Sequence, residues 1–332
     1  MMKQIEFIDL SRAHAEIRSE IDASIERCVN RGSFLRGPET EAFEVEWAAF
    51  CGMKHAVCCN SGTDALTLAA RALNIQSAQI QSNTLPLTAI GLHLGGAQVE
   101  LVDCTPSGET TAQGTDAVPV LIYGQIPSAI DPNVRLYDAA HAHGWQPPAN
   151  ACAAFSFYPT KTLGALGDAG AITTNDADTA AHMRELCGRD DRLRDVRQIT
   201  SRIDEIQAAV LRVKLRKLPE WLADRAAIGA HYDERLAETG FTLSGTSLHH
   251  LYAIRVPQRS ELMAFLLENG VQTKIHWADA LHRMDGPWSA PKAEFPEAEA
   301  WCNTTLSLPC FPGLREEEVN HVCDLILQFY NL

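Results

Sequence analysis

Short apolar runs of strand length recur along the first half of the chain. Six of them lie between residues 56 and 174, namely AVCC (56–59), AQVELVD (97–103), VPVLIY (118–123), VRLYD (134–138), AAFSF (153–157) and AITT (171–174). Helical patterns flank these runs at 64–73, 177–187 and 203–218. Because near-continuous apolar strands alternate with helices, the pattern predicts a mostly parallel, doubly wound α/β sheet covered on both faces.

The second half of the chain follows a different order. Around Pro219 the alternation ends, and the pattern then predicts a helix through Tyr232, a strand near 251–256, a helix capped by Ser260, a strand near 271–275 and a last helix ending near Phe329. This order indicates a smaller α+β unit. We therefore expect a large α/β domain over residues 1–220 and a small C-terminal domain over residues 221–332.

The composition is that of a chain with a packed core. Of its 332 residues, 46% are hydrophobic and 21% are charged, which is close to the average for globular proteins. Because 28 Lys and Arg stand against 42 Asp and Glu, the formal net charge is −14. Nonspecific binding to nucleic acid or to an anionic membrane surface is therefore disfavoured.

Neither the N-terminus nor the cysteines indicate export or a metal site. The segment MMKQIEFIDLSRAHAEIRSEID becomes charged too early for a signal peptide, and no run approaches the roughly 18 apolar residues of a membrane-spanning helix. The ten cysteines are scattered without a CxxC motif. We expect them to be buried thiols of a cytoplasmic protein.

A candidate anion site lies where the first apolar run meets its helix. Ser61, Gly62 and Thr63 form the turn between the two elements. The free N–H groups and the positive dipole end of a helix favour phosphate there, and the two hydroxyl groups add donors. An ordinary helix cap uses the same residue types, so the turn alone leaves both interpretations open.

Lys161 is a single cation in an apolar, small-residue turn, FYPTKTLGALG (157–167). Partial burial lowers the pKa of a lysine and makes its neutral amine available to form a Schiff base. A solvated loop lysine is the alternative, and the turn alone favours that alternative.

Asp138 ends a buried apolar run, at the position where open α/β sheets bind ligands. With His141 and His143 it is a candidate metal ligand, or it holds the protonated ring nitrogen of a pyridine cofactor. No further carboxylate or cysteine cluster completes a metal set. Metal is therefore the less favoured interpretation, and ordinary structural histidines remain an alternative.

A phosphate site, a carboxylate and a Schiff-base lysine, each at a strand end, are the groups that hold pyridoxal phosphate. With these groups in this order, the chain resembles the DegT/DnrJ/EryC1/StrS family of sugar aminotransferases along nearly its whole length. The matching motifs are FIDL near the start, GSFLRGPE (32–39), NSGTDAL (60–66), SNT (82–84), YGQ (123–125), DAAHAHG (138–144), FSFYPTKTLGALGDAGAITTND (155–176), SRIDEIQAAVLRVKLRKL (201–218) and LSLP (306–309).

The resemblance implies a fold-type-I transferase that depends on pyridoxal 5′-phosphate. Lys161 would form the Schiff base with the cofactor and then move protons between cofactor and substrate carbons. Asp138 would keep the ring nitrogen protonated, so that the ring accepts electrons. His141 lies where relatives carry Gln or His near the ring, and the His form is similar to that of members that act at carbon 4 of the sugar.

The resemblance also implies the groups that hold the cofactor phosphate. Gly62, Thr63 and Ser156 would contribute from the same chain. Where relatives have Asn at the start of the N-S-R-L-D motif, reaching the phosphate of the neighbouring subunit, this chain has Thr200, a shorter donor.

The chain departs from the family pattern at three further places. Relatives commonly place an aromatic residue on the cofactor ring after SNT, whereas this chain has Leu85. The stretches at 103–136 and 144–153 look shorter than usual, which indicates a trimmed crossover and a changed substrate pocket.

An arginine-rich region is a candidate site for a nucleotide diphosphate. Its members are Arg184, Arg189, Arg192, Arg194, Arg197 and Arg202, and Asp190, Asp191 and Asp195 lie among them. A solvated loop of ion pairs is at least as good an interpretation. Arg202, inside a family motif, is the candidate substrate ligand.

The resemblance implies an aminotransferase that moves an amino group from an amino acid such as glutamate to a ketone on a nucleotide-linked sugar, in amino-sugar, polysaccharide or natural-product biosynthesis. It implies a homodimer with shared active sites. Two alternatives stay open. Some relatives are dehydratases with His at the lysine position, against which Lys161 counts. A degenerate, non-catalytic binding protein would account for Leu85, Thr200 and the shortened segments.

Overall fold

The apolar runs of the first half form the strands of a large sheet. The computed structural model describes residues 4–188, 196–290 and 294–332. Its strands are β1 (His55–Cys59), β2 (Ser77–Gln81), β3 (Gln98–Val102), β4 (Leu136–Asp138), β5 (Cys152–Ser156), β6 (Gly170–Thr174), β7 (Tyr252–Arg255), β8 (Trp288–Ser289) and β9 (Thr305–Leu308). Its helices are α1 (Leu10–Ala15), α2 (Arg18–Arg31), α3 (Pro38–Phe50), α4 (Gly62–Ala72), α5 (Pro86–Leu94), α6 (Ala177–Leu186), α7 (Glu205–Arg235), α8 (Arg259–Glu268), α9 (Pro296–Thr304) and α10 (Glu316–Tyr330).

Two groups of strands join into one sheet through residues 117–120. One group has the order β1-β6-β5-β4 and the other β2-β3-β8. Ala117 forms a parallel bridge with Gln79 of β2, and Val120 forms one with Asp138 of β4. Strand β6 is antiparallel to both neighbours, while the pairs β4/β5, β2/β3 and β3/β8 are parallel. The predicted mostly parallel α/β fold is confirmed.

Residues 118–123 do not form the regular strand that the sequence predicts. Pro119 has no N–H to donate to a ladder, and from Ile122 the chain bends into a short 3-10 turn with Tyr123 at φ 60°. The side chain of Gln81 bonds the N–H and the carbonyl oxygen of Val120 instead, at 3.1 and 2.8 Å. The pattern also misses β2, because its sequence SAQIQ is too polar to form an apolar run.

Both faces of the sheet are covered, as the apolar runs predict. Successive residues of a strand lie in different cores. Leu136 and Ile172 belong to one buried cluster, whereas Tyr137 and Phe155 belong to the other. Because period-two alternation sends successive side chains to opposite faces, β1, β4, β5 and β6 each contribute to both cores, whereas the core residues of β2 and β3 lie in the first one only. Among the described residues, no helix is long and apolar enough to cross a membrane.

Helix α7 is longer than the sequence pattern predicts. The predicted helices at 203–218 and through Tyr232 are one helix of 31 residues that contains Pro219. Pro219 is exposed, and the helix continues through it although its missing N–H removes one hydrogen bond of the helix. The predicted domain division at residue 220 falls inside this helix and stays a prediction.

The C-terminal part contains a second, smaller sheet. Strands β7 and β9 pair antiparallel, and their buried side chains share a core with α8 and α10. The predicted strand at 271–275 makes only isolated bridges, from Val271 to Ile5 and from Lys274 to Ser307. Ser260 does not cap α8, which begins after Gln258 without a capping side chain.

A buried carboxylate fixes the start of α7 against α3. Glu205 is fully buried and accepts hydrogen bonds from the N–H groups of Gly37, Glu39 and Thr40 at 2.9–3.0 Å, and from the Thr40 hydroxyl at 2.5 Å. These are N–H groups at a helix start, which have no partner within the helix. Glu205 therefore provides the N-terminal cap of α3 from a distant part of the chain.

We expect Glu205→Ala to lower the free energy of unfolding by about 3 kcal/mol or more, because several buried donors lose a charged acceptor. Chemical denaturation measures this change. Glu220→Ala, at a solvent-exposed position of the same helix, is the control and is expected to change stability by less than about 0.5 kcal/mol. Equal effects of the two substitutions would contradict the assigned capping role.

Candidate active site

Three strand ends meet at one edge of the sheet. Gly170 of β6 pairs with Cys59 of β1 on one side and with Ser156 of β5 on the other, so β1 and β5 run in the same direction. Asp138 is the last residue of β4, which is parallel to β5. The carboxyl ends of these strands therefore lie together, where open α/β sheets bind ligands.

The residues after β5 form a tight turn that carries Lys161. We call residues 157–168 the lysine turn. Two backbone hydrogen bonds hold it together. The N–H of Ala165 donates to the carbonyl oxygen of Phe157 at 2.8 Å, and the N–H of Lys161 donates to the carbonyl oxygen of Tyr158 at 2.8 Å. At Gly164 a Cβ atom would lie 2.2 Å from the carbonyl oxygen of Pro159. The backbone folds back so closely that only glycine fits there.

Surrounding elements also hold the lysine turn. His143 Nδ1 accepts the N–H of Leu163 at 3.0 Å, and Gln207 Oε1 accepts the N–H of Leu166 at 2.8 Å. The Lys214 ammonium group donates to the carbonyl oxygen of Gly164 at 2.6 Å. The position of Lys161 therefore depends on α7 as well as on β5.

Asp138 is a buried carboxylate with two neutral donors. Its Oδ2 accepts the Thr88 hydroxyl at 2.7 Å, and its Oδ1 accepts the N–H of Ala140 at 3.0 Å. Burial raises the pKa of Asp138, while these two hydrogen bonds and the charge of Lys161 lower it. The carboxylate is thus suited to a cationic or N–H-bearing partner in the cavity.

Burial has the opposite effect on the lysine. It lowers the pKa of Lys161 to about 8, and the charge of Asp138 acts in the opposite direction. An ordinary lysine is almost wholly protonated at neutral pH, whereas an amine with this pKa has a substantial neutral fraction. Lys161 therefore has the chemistry of a nucleophile and a proton acceptor.

The start of α4 forms an anion-binding turn. Ser61 caps the helix by accepting the N–H of Asp64 at 3.1 Å, and Gly62 is its first residue. A Cβ atom at Gly62 would lie 2.7 Å from the Cβ of Ser156. The turn from β1 and the end of β5 therefore approach closely and place hydroxyl groups beside the helix N-terminus.

One cavity of about 310 Å³ brings most of the predicted site residues together. Its lining includes Gly62, Thr63, Asp138, His141, Ser156 and Lys161. Thr200 and Arg202 do not line it; Thr200 is exposed and Arg202 half-buried. Six of the eight predicted site residues thus share one cavity within a single chain.

His141 faces this cavity as a neutral ring. Its Nδ1 accepts the N–H of Tyr123 at 3.2 Å, so the ring proton is on Nε2. Burial and the nearby charge of Lys161 hold the pKa of His141 well below its ordinary value. His141 is therefore a hydrogen-bond donor at Nε2 rather than a cation.

His143 lies on the other side of the turn. Its ring packs against Trp47 and Phe157, with ring centroids 5.5 Å apart in each case. Asp138, His141 and His143 therefore do not converge. Within the described ranges, no group of three or more His, Cys, Asp or Glu side chains is arranged to hold a metal ion.

The segment that contains Thr200 and Arg202 is anchored next to the α4 start. The buried Ser201 hydroxyl accepts the N–H of Asn60 at 3.0 Å and donates to Asp64 Oδ2 at 2.6 Å. Of the predicted arginine-rich region, Arg189, Arg192 and Arg194, with Asp190, Asp191 and Asp195, lie outside the described residues. Arg184 binds Glu44 at 3.3 Å and the carbonyl oxygen of Ala56 at 3.0 Å.

The sequence interpretation missed several residues of the cavity. Thr88, which bonds Asp138, lies three residues after Leu85, and both residues line the cavity. Trp277, from the C-terminal part, lines it too and lies nearly parallel to the His141 ring at a centroid distance of 5.8 Å. No local motif marks Trp277, because its place depends on contacts between distant parts of the chain.

Comparison with known proteins finds similarity along nearly the whole chain. The model of the DegT/DnrJ/EryC1/StrS aminotransferase family matches residues 15–108 and 134–327. The chain is 35% identical to the erythromycin biosynthesis sensory transduction protein EryC1 of Saccharopolyspora erythraea, over 96% of this chain and 97% of that protein. It is 33% identical to the dTDP-3-amino-3,4,6-trideoxy-alpha-D-glucose transaminase of Streptomyces venezuelae, over 98% and 96% respectively.

A solved structure is similar over the full length. The X-ray structure of S. venezuelae DesV in complex with a ketimine intermediate matches with a TM-score of 0.91 and 32% identity, and the match covers 100% of both chains. The fold-type-I architecture predicted from the motifs is confirmed.

The segment that the family model omits, residues 109–133, lies inside the stretch predicted to be shortened. It lines a separate cavity of about 670 Å³ that contains none of the predicted site residues. Val120 lines both cavities. The stretch predicted to be shortened therefore reaches the candidate site at Val120.

In the cofactor-free protein, we expect Lys161 to titrate near pH 8 and to titrate at a lower pH in Asp138→Asn, because the carboxylate charge raises the lysine's pKa. The rate of acetylation at Lys161, followed by peptide mass spectrometry across pH, measures this midpoint. Lys217, whose pKa is raised by Glu220, is the internal control. A Lys161 midpoint at the ordinary value of 10.5 would contradict the burial argument.

Proposed function

The chain belongs to the DegT/DnrJ/EryC1/StrS aminotransferase family, and from this membership we propose that it moves an amino group from an amino acid to a keto carbon of a nucleotide-linked sugar. The observation that carries the proposal is the shared cavity of Lys161, Asp138 and the α4 start. The S. venezuelae relative is named for a dTDP-linked amino sugar. Glutamate is the proposed donor.

Pyridoxal 5′-phosphate is the cofactor of this enzyme, and the residues of the cavity fit it. A Cβ atom at Gly62 would lie 2.7 Å from the Cβ of Ser156, so glycine lets the helix start and the end of β5 come close enough to bind one phosphate together. Asp138 is a buried carboxylate with capacity for a further donor. Lys161 supplies the amine.

When bound, the cofactor supplies a ring that accepts the electron pair left when a substrate carbon loses its proton. We assign Lys161 Nζ to take that proton and return it, since its lowered pKa leaves part of the amine unprotonated. The negative charge of the Asp138 carboxylate would stabilise the positively charged, protonated form of the ring nitrogen. Thr88 Oγ1 keeps the carboxylate oriented.

The remaining residues are assigned to binding. Backbone N–H groups at the α4 start, with the hydroxyls of Thr63 and Ser156, bind the phosphate group. His141, whose Nδ1 accepts the N–H of Tyr123, would donate from Nε2 to the cofactor. Leu85 and Trp277 provide the apolar walls.

Carbon 3 of the sugar is the proposed acceptor position. The S. venezuelae transaminase, named for a 3-amino sugar, is 33% identical to this chain along nearly its whole length. The carbon 4 position suggested by the His form at residue 141 rests on a single residue of the resemblance, so we give it second place.

The site is proposed to be completed by a second copy of the chain. Thr200 is exposed, and the buried Ser201 hydroxyl fixes the segment beside it. Thr200 and Arg202 lie outside their own chain's cavity, which agrees with the family resemblance that assigns this segment to the neighbouring subunit's phosphate. We assign Thr200 to that phosphate and Arg202 to the anionic substrate.

A cytoplasmic location is proposed on the basis of the cysteines. All ten are free and buried, as expected for a protein of a reducing compartment.

Absorbance spectroscopy and product analysis test the proposed activity. Glutamate is expected to bleach the visible absorbance of the cofactor-loaded protein, and a dTDP-linked 3-keto sugar is expected to restore it, with one 2-oxoglutarate formed per amino sugar. Lys161→Ala is expected to lose at least about 100-fold in rate, because the proton-transferring amine is removed. Lys217→Ala is the matched control.

Wild-type turnover in Lys161→Ala would overturn the assignment. A wild-type spectrum that no amino donor changes would favour the non-catalytic alternative instead.

Subunit complementation tests the shared site. Lys161→Ala chains and Thr200→Ala/Arg202→Ala chains are each expected to be impaired alone. A doubly tagged heterodimer of the two is expected to regain activity, since one of its two sites combines the intact lysine of one chain with the intact segment of the other.

If this heterodimer is no more active than its parents, although the double variant alone is impaired, the site is built within one chain.

A further inference from the structure

Lys214 is a buried cation that the proposed chemistry does not use. Only 2% of the residue is exposed, and its ammonium group donates to the carbonyl oxygen of Gly164 at 2.6 Å. Among the described residues it makes no ion pair with a carboxylate. Burial lowers the pKa of Lys214 to about 8, which shows that its surroundings oppose the charge.

A cation in this position is costly, so packing alone does not account for it. A buried charge without a counter-ion destabilises a fold, and an apolar side chain of similar volume fills the same space without that cost. The neighbours of Lys214 on the buried side of α7 include Val210, Leu211 and Leu218, which are apolar, as buried helix positions usually are. The hydrogen bond to the lysine turn is what distinguishes Lys214 from them.

The bond reaches the turn three residues after Lys161. Gly164 is packed against Pro159, because a Cβ atom at residue 164 would lie 2.2 Å from the Pro159 carbonyl oxygen. A displacement of Gly164 therefore displaces Pro159 and the residues between them. Lys161 is one of those residues.

Space behind the turn allows such a displacement. A small cavity of about 20 Å³ is lined by Lys161, Gly164, Lys214 and Arg225. Truncating Lys214 enlarges this cavity and leaves the Gly164 carbonyl oxygen without its donor. The turn is then free to move, and Lys161 can shift from its position in the cavity that it shares with Asp138.

We propose that Lys214 is a positioning residue, which sets the place of Lys161 through the Gly164 carbonyl oxygen. Gln207 supports the same assignment, since it lies two helical turns earlier on α7 and holds the Leu166 N–H of the same turn at 2.8 Å. Helix α7 is thus a rigid support for the lysine turn. The inference rests on the proposed role of Lys161 as the cofactor-binding amine.

The test compares Lys214→Met, which removes the donor, with Lys214→Arg, which keeps a charged donor at the same position. Lys217→Met, at a partly exposed position of the same helix, is the matched control. Pyridoxal phosphate is titrated into each cofactor-free protein, and hydrogen exchange is measured across residues 158–166.

Lys214→Met is expected to raise the cofactor Kd and to lower kcat, each by about 10-fold or more, because small misplacements of reacting groups have effects of this size. Exchange across the turn is expected to accelerate. Lys214→Arg is expected to recover most of both losses, and Lys217→Met to match wild type. Should the Met variant fail to fold, Lys214→Gln replaces it, since its shorter polar side chain ends before the carbonyl oxygen.

The inference is overturned if the donor-lacking variant keeps the wild-type Kd and turn exchange and differs only in melting temperature, which would make Lys214 purely structural. It is also overturned if Lys214→Arg is as impaired as Lys214→Met. Failure of the proposed function has a different outcome, because either no amino donor would then change the wild-type spectrum or Lys161→Ala would keep wild-type turnover, whatever the Lys214 variants do.

Discussion

A buried amine that shares a cavity with a buried carboxylate is the interaction on which the rest of the site depends. Burial lowers the pKa of Lys161 to about 8 and raises that of Asp138, and each charge partly offsets the effect of burial on the other. This balance holds only while the ends of β4 and β5 stay in register, with Asp138 opposite Ala154. The mostly parallel sheet is therefore a condition of the chemistry.

Helices α4 and α7 position the parts of the site that the sheet does not hold. Helix α4 brings its positive end to the strand edge, and Ser201 ties the segment before α7 to that helix through Asn60 and Asp64. Further along α7, Gln207 and Lys214 hold the lysine turn. The segment before α7 and the first half of α7 thus connect the anion-binding turn with the lysine turn.

Much of the candidate site was predictable because its residues follow strand ends in short, local motifs. Asp138, Lys161 and the turn at 61–63 each lie at such an end, and the structure brings them into one cavity. Trp277 and Thr88 were not predictable from local patterns, since their roles depend on contacts across the fold. The same limit applies to the strand at 77–81, whose polar residues hide it, and to 118–123, where Pro119 and the Gln81 side chain replace regular pairing.

The central claim is that the amine of Lys161 is the group that binds the cofactor. Borohydride reduction makes the bond between pyridoxal phosphate and its lysine permanent, and peptide mass mapping then identifies the modified residue. The account predicts that the cofactor mass is found on the peptide that contains Lys161 and that glutamate added before reduction decreases the label. Label on another lysine, such as Lys214, or no stable label at all would contradict it.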